Sequence, residues 1–197
     1  MSAYRTSYAV TLTCLLAAGC AAPDAGVAPA HIGKVTDPGQ DAAVAMVSDG
    51  AKITVYVCGG PTTFDKMTRW FQGDLGPDGT FELEKSGGFQ VTGDLTSGKG
   101  QLTTDLGQTL AWAARPTTNE VEGLYAAMDG SCRTGAIVGD LDGNGTMRLQ
   151  GTWCDGLDRF AQVSPLTPAM SLTDRGIAVS VLTDPVKTIF VDRVRHP

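Results

Sequence analysis

Histidine is almost missing from this chain, with two in 197 residues. His31 lies in a small-residue segment near the start, and His196 is next to the last residue. Neither stands where a core is expected to orient it, which argues against His-based triads, zinc sites and imidazole acid–base pairs. Cys-x-x-Cys, Gly-x-Ser-x-Gly and Ser-x-x-Lys are also absent, so the common thiol and serine chemistries have no motif here. The 15 Lys and Arg form no block and face 21 acids, and the net charge of −6 argues against a nucleic-acid partner. No apolar run reaches the roughly 18 residues of a membrane-spanning helix. No stretch of helix length carries a helical hydrophobic period, which argues against a crossover βαβ fold. Charged residues are sparse too, at 18%, while 42% are apolar, and that balance excludes a disordered chain.

What is present is turn chemistry and alternation. The 25 Gly and 10 Pro punctuate segments in which every second residue is apolar. Ile53, Val55 and Val57 share one face. Phe81 and Leu83 oppose Glu82 and Glu84; Phe89, Val91, Gly93 and Leu95 oppose Gln90, Thr92 and Asp94. Leu102, Thr104 and Leu106 continue the series, followed by Leu110, Trp112 and Ala114, and by Met147, Leu149, Gly151 and Trp153. Further runs lie near 66–73, 120–127, 134–141, 176–182 and 187–194. Between them fall Gly59-Gly60-Pro61, Pro77-Asp78-Gly79, Ser97-Gly98, Asp129-Gly130 and Asp142-Gly143-Asn144-Gly145. The spacing predicts an all-β fold over residues 42–197: one domain, an antiparallel meander of about ten or more short strands closing into a small barrel or sandwich. Residues 165–175, with two prolines, are expected to interrupt it. A loose echo, Gly73-Asp74-Leu75, Gly93-Asp94-Leu95 and Gly151-Thr152-Trp153, puts a core-facing Gly where a closing barrel must bend.

Two loops resemble ligand motifs. Gly93 to Lys99 matches a phosphate-binding loop up to its Lys, but Gly100 stands where Ser or Thr is required, and residues 101–106 alternate as a strand. A hairpin turn is expected there, with no nucleotide and no cofactor. Asp140, Asp142 and Asn144, with Gly145 sixth, follow the ligand order of a calcium loop. Gly151 stands where the closing Glu is needed, and Asp-Gly-Asn-Gly also suits a tight turn. No metal site is expected.

The first twenty residues read as an export signal, with Arg5 before an apolar run from Ala9 to Ala18 and small residues ahead of Cys20. Leu16-Ala17-Ala18-Gly19-Cys20 resembles the processing site of a bacterial lipoprotein precursor, although Leu sits one place further from the Cys than that pattern has it. The resemblance implies cleavage of residues 1–19 as a signal peptide, lipid attachment (including palmitate) at Cys20, and a membrane partner through that lipid. It also implies the cell envelope as location, at the outer membrane or cell surface, because Ala21 replaces the Asp that favours inner-membrane retention. Removing Arg5 leaves 14 of the basic residues against 21 acids, a charge of −7. Residues 20–41, rich in Ala, Pro and Gly, are expected to be the lipidated N-terminus and a flexible tether.

An exported chain meets oxidising conditions. Cys132 and Cys154 are equidistant from Gly143, so a symmetric hairpin there would oppose them and predicts a disulfide. Cys58, with no His or Lys beside it, reads as a buried apolar side chain.

For function, three readings follow. The first is an envelope lipoprotein with a non-catalytic binding or structural β-domain for a protein or small-molecule ligand. The second is an inhibitor or accessory factor of another envelope protein, acting through loop 59–65 or 115–119. In size and lipid anchoring alone the chain resembles the small β-barrel lysozyme inhibitors of bacterial envelopes. The third is a carboxylate-dependent hydrolase, since paired acids are not legible from sequence. Glu82, Glu84, Glu120 and Glu122 read as the wet face of strands, and Trp70, Phe71, Trp112 and Trp153 as core.

Overall fold

Alternating segments become strands because each has one apolar face to bury and ends where Gly, Pro or Asp supplies a turn. The computed structural model describes residues 30–85, 87–155, 160–165 and 176–197. Those residues hold β1 (Ala30–Val35), β2 (Ala43–Ser48), β3 (Lys52–Cys58), the one-turn helix α1 (Phe64–Met67) and β4 (Arg69–Asp74). Next come β5 (Thr80–Lys85), β6 (Phe89–Asp94), β7 (Lys99–Thr103) and β8 (Thr109–Pro116). The rest are β9 (Gly123–Asp129), β10 (Cys132–Gly139), β11 (Arg148–Cys154), β12 (Phe160–Pro165), β13 (Gly176–Val181) and β14 (Lys187–Arg193). The fold is all-β and antiparallel, and it divides into two barrels.

The first is an eight-stranded, nearly closed barrel in the order β4-β3-β2-β1-β8-β7-β6-β5. Two four-stranded meanders join through β1 and β8, so β4 and β5, neighbours in sequence, become its two edges, free among the described residues. The second barrel is closed, in the order β10-β11-β12-β13-β14-β9. Val44, Met46, Val55, Phe71, Leu102 and Trp112 are among the side chains filling the first lumen. Tyr125, Val138, Trp153, Ile177 and Val191 are among those filling the second. A third cluster cements the two: Ile32, Ala45, Val47, Tyr56 and Cys58 from the outer face of β1–β3 pack with Leu124, Ile137 and Val194.

That third core overturns the expected tether. Residues 30–35 are not a linker before a domain at 42; they form a strand in the middle of the eight-stranded sheet, with Ile32 fully buried. His31 is buried there as well, not free in a tether. The physical reason lies in burial on both sides. In β2, Val44 and Met46 face the first lumen while Ala43, Ala45 and Val47 face the second barrel. Such strands have no polar face, so the alternation that marks a half-buried strand is lost.

The echo glycines provide space. A Cβ on Gly73 would lie 2.5 Å from Leu83, one on Gly93 2.4 Å from the Trp112 ring, and one on Gly151 2.3 Å from Val163. Each seats a large side chain from another strand. The phosphate-loop look-alike is a turn between β6 and β7, where Gly98 N–H donates to the Asp94 carbonyl at 2.9 Å. Of the expected interruption at 165–175, residues 166–175 lie outside the described residues.

Glu122 is a correction. It is not on a wet face but 1% exposed, in the crossover between the barrels. Its carboxylate accepts from both Arg115 nitrogens, at 2.5 and 3.0 Å, from Thr118 N–H and hydroxyl, and from Asp140 N–H. Glu82, Glu84 and Glu120 do stand exposed.

Candidate functional site

A broad concavity lies between β4 and the open end of the β10–β11 hairpin. It is a groove of about 920 Å³, at the upper end of the range for small-ligand sites. Alternation along β4 sends Arg69 and Phe71 toward the first lumen and Trp70 toward the second barrel. Trp70 is thereby only half-buried, the exception among the three tryptophans. Tyr56 packs against its ring with centroids 4.3 Å apart, and the Arg133 guanidinium lies 3.8 Å from its centre. The Trp70 indole N–H donates to the Arg133 carbonyl at 2.9 Å, fixing the start of β10. Arg69 lies 4.2 Å over the Phe89 ring.

Both arginines are half-buried, and neither makes an ion pair among the described residues. Burial pushes both guanidinium groups below their ordinary pKa; Asp105 opposes this for Arg69 from beyond ion-pair distance. The acids of the groove, Asp65 and Glu84, are exposed and solvated. Under the groove, Thr68 and Thr152 hydroxyls meet at 3.1 Å and the Cys58 thiol contacts Thr152 at 3.5 Å. Cys58 is free and buried, and burial raises its pKa, so it is held as an inert thiol.

The structure joins Cys132 to Cys154 at the rim of this groove, with Cα atoms 5.9 Å apart. The register differs from a symmetric turn at Gly143: Ala136 faces Gly151 and Gly139 faces Arg148, one residue out of step. The ladder ends at Gly135 and Thr152, and beyond it Cys154 N–H bonds the Thr134 hydroxyl, so the two cysteines meet outside regular pairing.

Family models, curated proteins and solved structures give no match to this chain. Its chemistry therefore has to come from the side chains themselves.

The calcium-loop residues are occupied by the protein. Asp140 accepts from Asn144 and Gly145 N–H at 3.0 and 2.7 Å, and Asn144 accepts from Thr146 N–H. Asp142 turns away to Lys34 at 2.5 Å and Arg148 at 3.0 Å. These pairs line a second cleft of about 410 Å³, where Gln150 also donates to the Asp41 and Cys58 carbonyls. No group of three potential metal ligands forms among the described residues.

Both expected contact loops are braced by internal hydrogen bonds while Pro61, Thr62, Thr118 and Asn119 stay exposed. In 59–65, Gly60 N–H bonds the Thr63 hydroxyl, which bonds Asp41. The 115–119 loop is held by Glu122. For a carboxylate hydrolase one acid must stay protonated near neutral pH. The carboxyl groups of Asp49, Asp78, Glu122, Asp140 and Asp142 are all displaced the other way, downward, by hydrogen bonds or by a cation. Cys20 and the signal segment lie outside the described residues. The arginine pair and the free edge of β4 carried no sequence signal, because isolated arginines within alternating strands read as ordinary surface.

Proposed function

We propose that this protein is an exported lipoprotein, held by lipid on Cys20, that presents a non-catalytic two-barrel domain as a binding module at the cell envelope. The observation that carries the binding role is the groove, which combines an open shape with two half-buried cations that no carboxylate of the described residues pairs. Arg69 donates to the Thr68 carbonyl at 2.7 Å and lies over Phe89, and Arg133 lies over Trp70. These contacts leave both charges without a carboxylate at ion-pair distance among the described residues, which favours an anionic occupant. The lipid anchor is supported by Leu16 to Cys20 and the apolar run before it.

The anchor is tested by labelling. Labelled palmitate should enter the full chain, and detergent should be needed to extract it. Cys20→Ser should abolish both. A mature N-terminal peptide that starts elsewhere and carries no lipid would overturn the reading.

A further inference from the structure

The groove runs along an edge of β4, not over one of its faces. Alternate residues of a strand point to opposite sides, yet five consecutive residues, Thr68 to Gln72, line this one cavity. A cavity beside the strand's edge can touch residues of both faces. β4 pairs with β3 from Val57↔Arg69 to Lys52↔Asp74 and has no partner on its other side among the described residues. It meets β5 at the shared turn, where Gly76 N–H bonds the Thr80 carbonyl and Leu83 lies over Gly73. No ladder joins β4 to β5 among the described residues.

We propose that this groove binds an extended peptide carrying acidic side chains, added as a strand along the free edge of β4, with Arg69 and Arg133 meeting its carboxylates. The inference rests on the reading of the domain as a binding module and names its ligand class. An unpaired edge offers main-chain donors and acceptors at strand spacing, which recognise a peptide backbone whatever its sequence. The guanidinium forks then select acidic side chains, since Arg meets a carboxylate with two parallel hydrogen bonds. Asp65 and Glu84 share the groove and Asp105 acts on Arg69 from beyond ion-pair distance, but all three are exposed, so solvent screens them more than it screens the half-buried arginines. A sugar is the poorer fit, because Tyr56 and Arg133 already engage the Trp70 ring that would serve as its platform.

The test uses the full chain in detergent and a fluorescein-labelled hexapeptide of alternating Glu and Val, read by anisotropy. Saturable binding is expected, with no binding of the Lys–Val counterpart. Methylating alternate backbone nitrogens of the peptide should weaken it about tenfold or more, because the edge bonds are lost. Arg69→Gln and Arg133→Gln should each weaken it to a similar degree, while Glu84→Gln should tighten it. Near-UV circular dichroism checks that the variants fold; if Arg133→Gln does not, Glu84→Gln and the peptide comparisons on the unaltered chain decide. Equal binding of both peptides, indifference to N-methylation, or stronger binding of polygalacturonate than of the Glu–Val peptide would overturn the proposal. None of these results bears on palmitate labelling, so the envelope lipoprotein reading stands or falls separately.

Discussion

Five donors converge on the Glu122 carboxylate, and its pKa shows the consequence: Arg115, then the hydrogen bonds from Thr118 and Asp140, hold it at about 2, against the desolvation that would raise it from 4.5. The side chain is 2% exposed, so the displacement is a stability term, on the order of 3 kcal/mol. Because the folded pKa is the lower one, this stability is fully present above about pH 4.5 and is lost as pH falls toward 2. Urea unfolding followed between pH 7 and pH 2.5 should show that loss. In Glu122→Gln, stability at pH 7 should drop by about 3 kcal/mol, because Arg115 keeps its charge without a partner. The acid-dependent slope should shrink correspondingly. An unchanged slope in the variant would place the acid sensitivity elsewhere. Sequence could not single out Glu122 from Glu82, Glu84 and Glu120, since its burial depends on a second barrel arriving beside β8.

The β10–β11 hairpin carries the next level of organisation. Its disulfide closes a separation of 22 residues, which in the loop-entropy model contributes about 3 kcal/mol. It also secures the end of β10 whose next residue, Arg133, covers Trp70. Non-reducing peptide mapping should return Cys132 linked to Cys154 and Cys58 unlinked. A Cys58 bridge to either would contradict the hairpin and the Thr68–Thr152 network together. Replacing both cysteines by Ser should lower stability by about 3 kcal/mol and increase quenching of Trp70 by acrylamide, since the Arg133 end is released. The pairing was legible from spacing, whereas the register was not. One extra residue in the turn shifts every regular pair, and only the irregular strand end past Gly135 lets the cysteines still meet.

At the scale of the molecule, two barrels stand back to back, and β1 decides whether they form. It lies between β2 and β8 in one sheet and contributes Ile32 to the core shared with the other. A chain starting at residue 42 lacks this strand and should show no cooperative thermal unfolding by far-UV circular dichroism. A sharp transition matching the full chain would mean that β2 and β8 can close without it. By itself the sequence determined the all-β class, the turns and most half-buried strands, because local alternation and turn residues act over a few positions. It also pointed to Cys132 and Cys154 as a pair, through a symmetric register that the hairpin does not have. Only the tertiary structure decided that the strands make two barrels, that the small-residue segment at 30–35 is central, that Glu122 is buried and that β4 keeps a free edge beside Arg69 and Arg133. Each of these depends on which surfaces meet across long stretches of chain, and hydrophobic burial between distant strands leaves no periodic mark where both faces of a strand are covered.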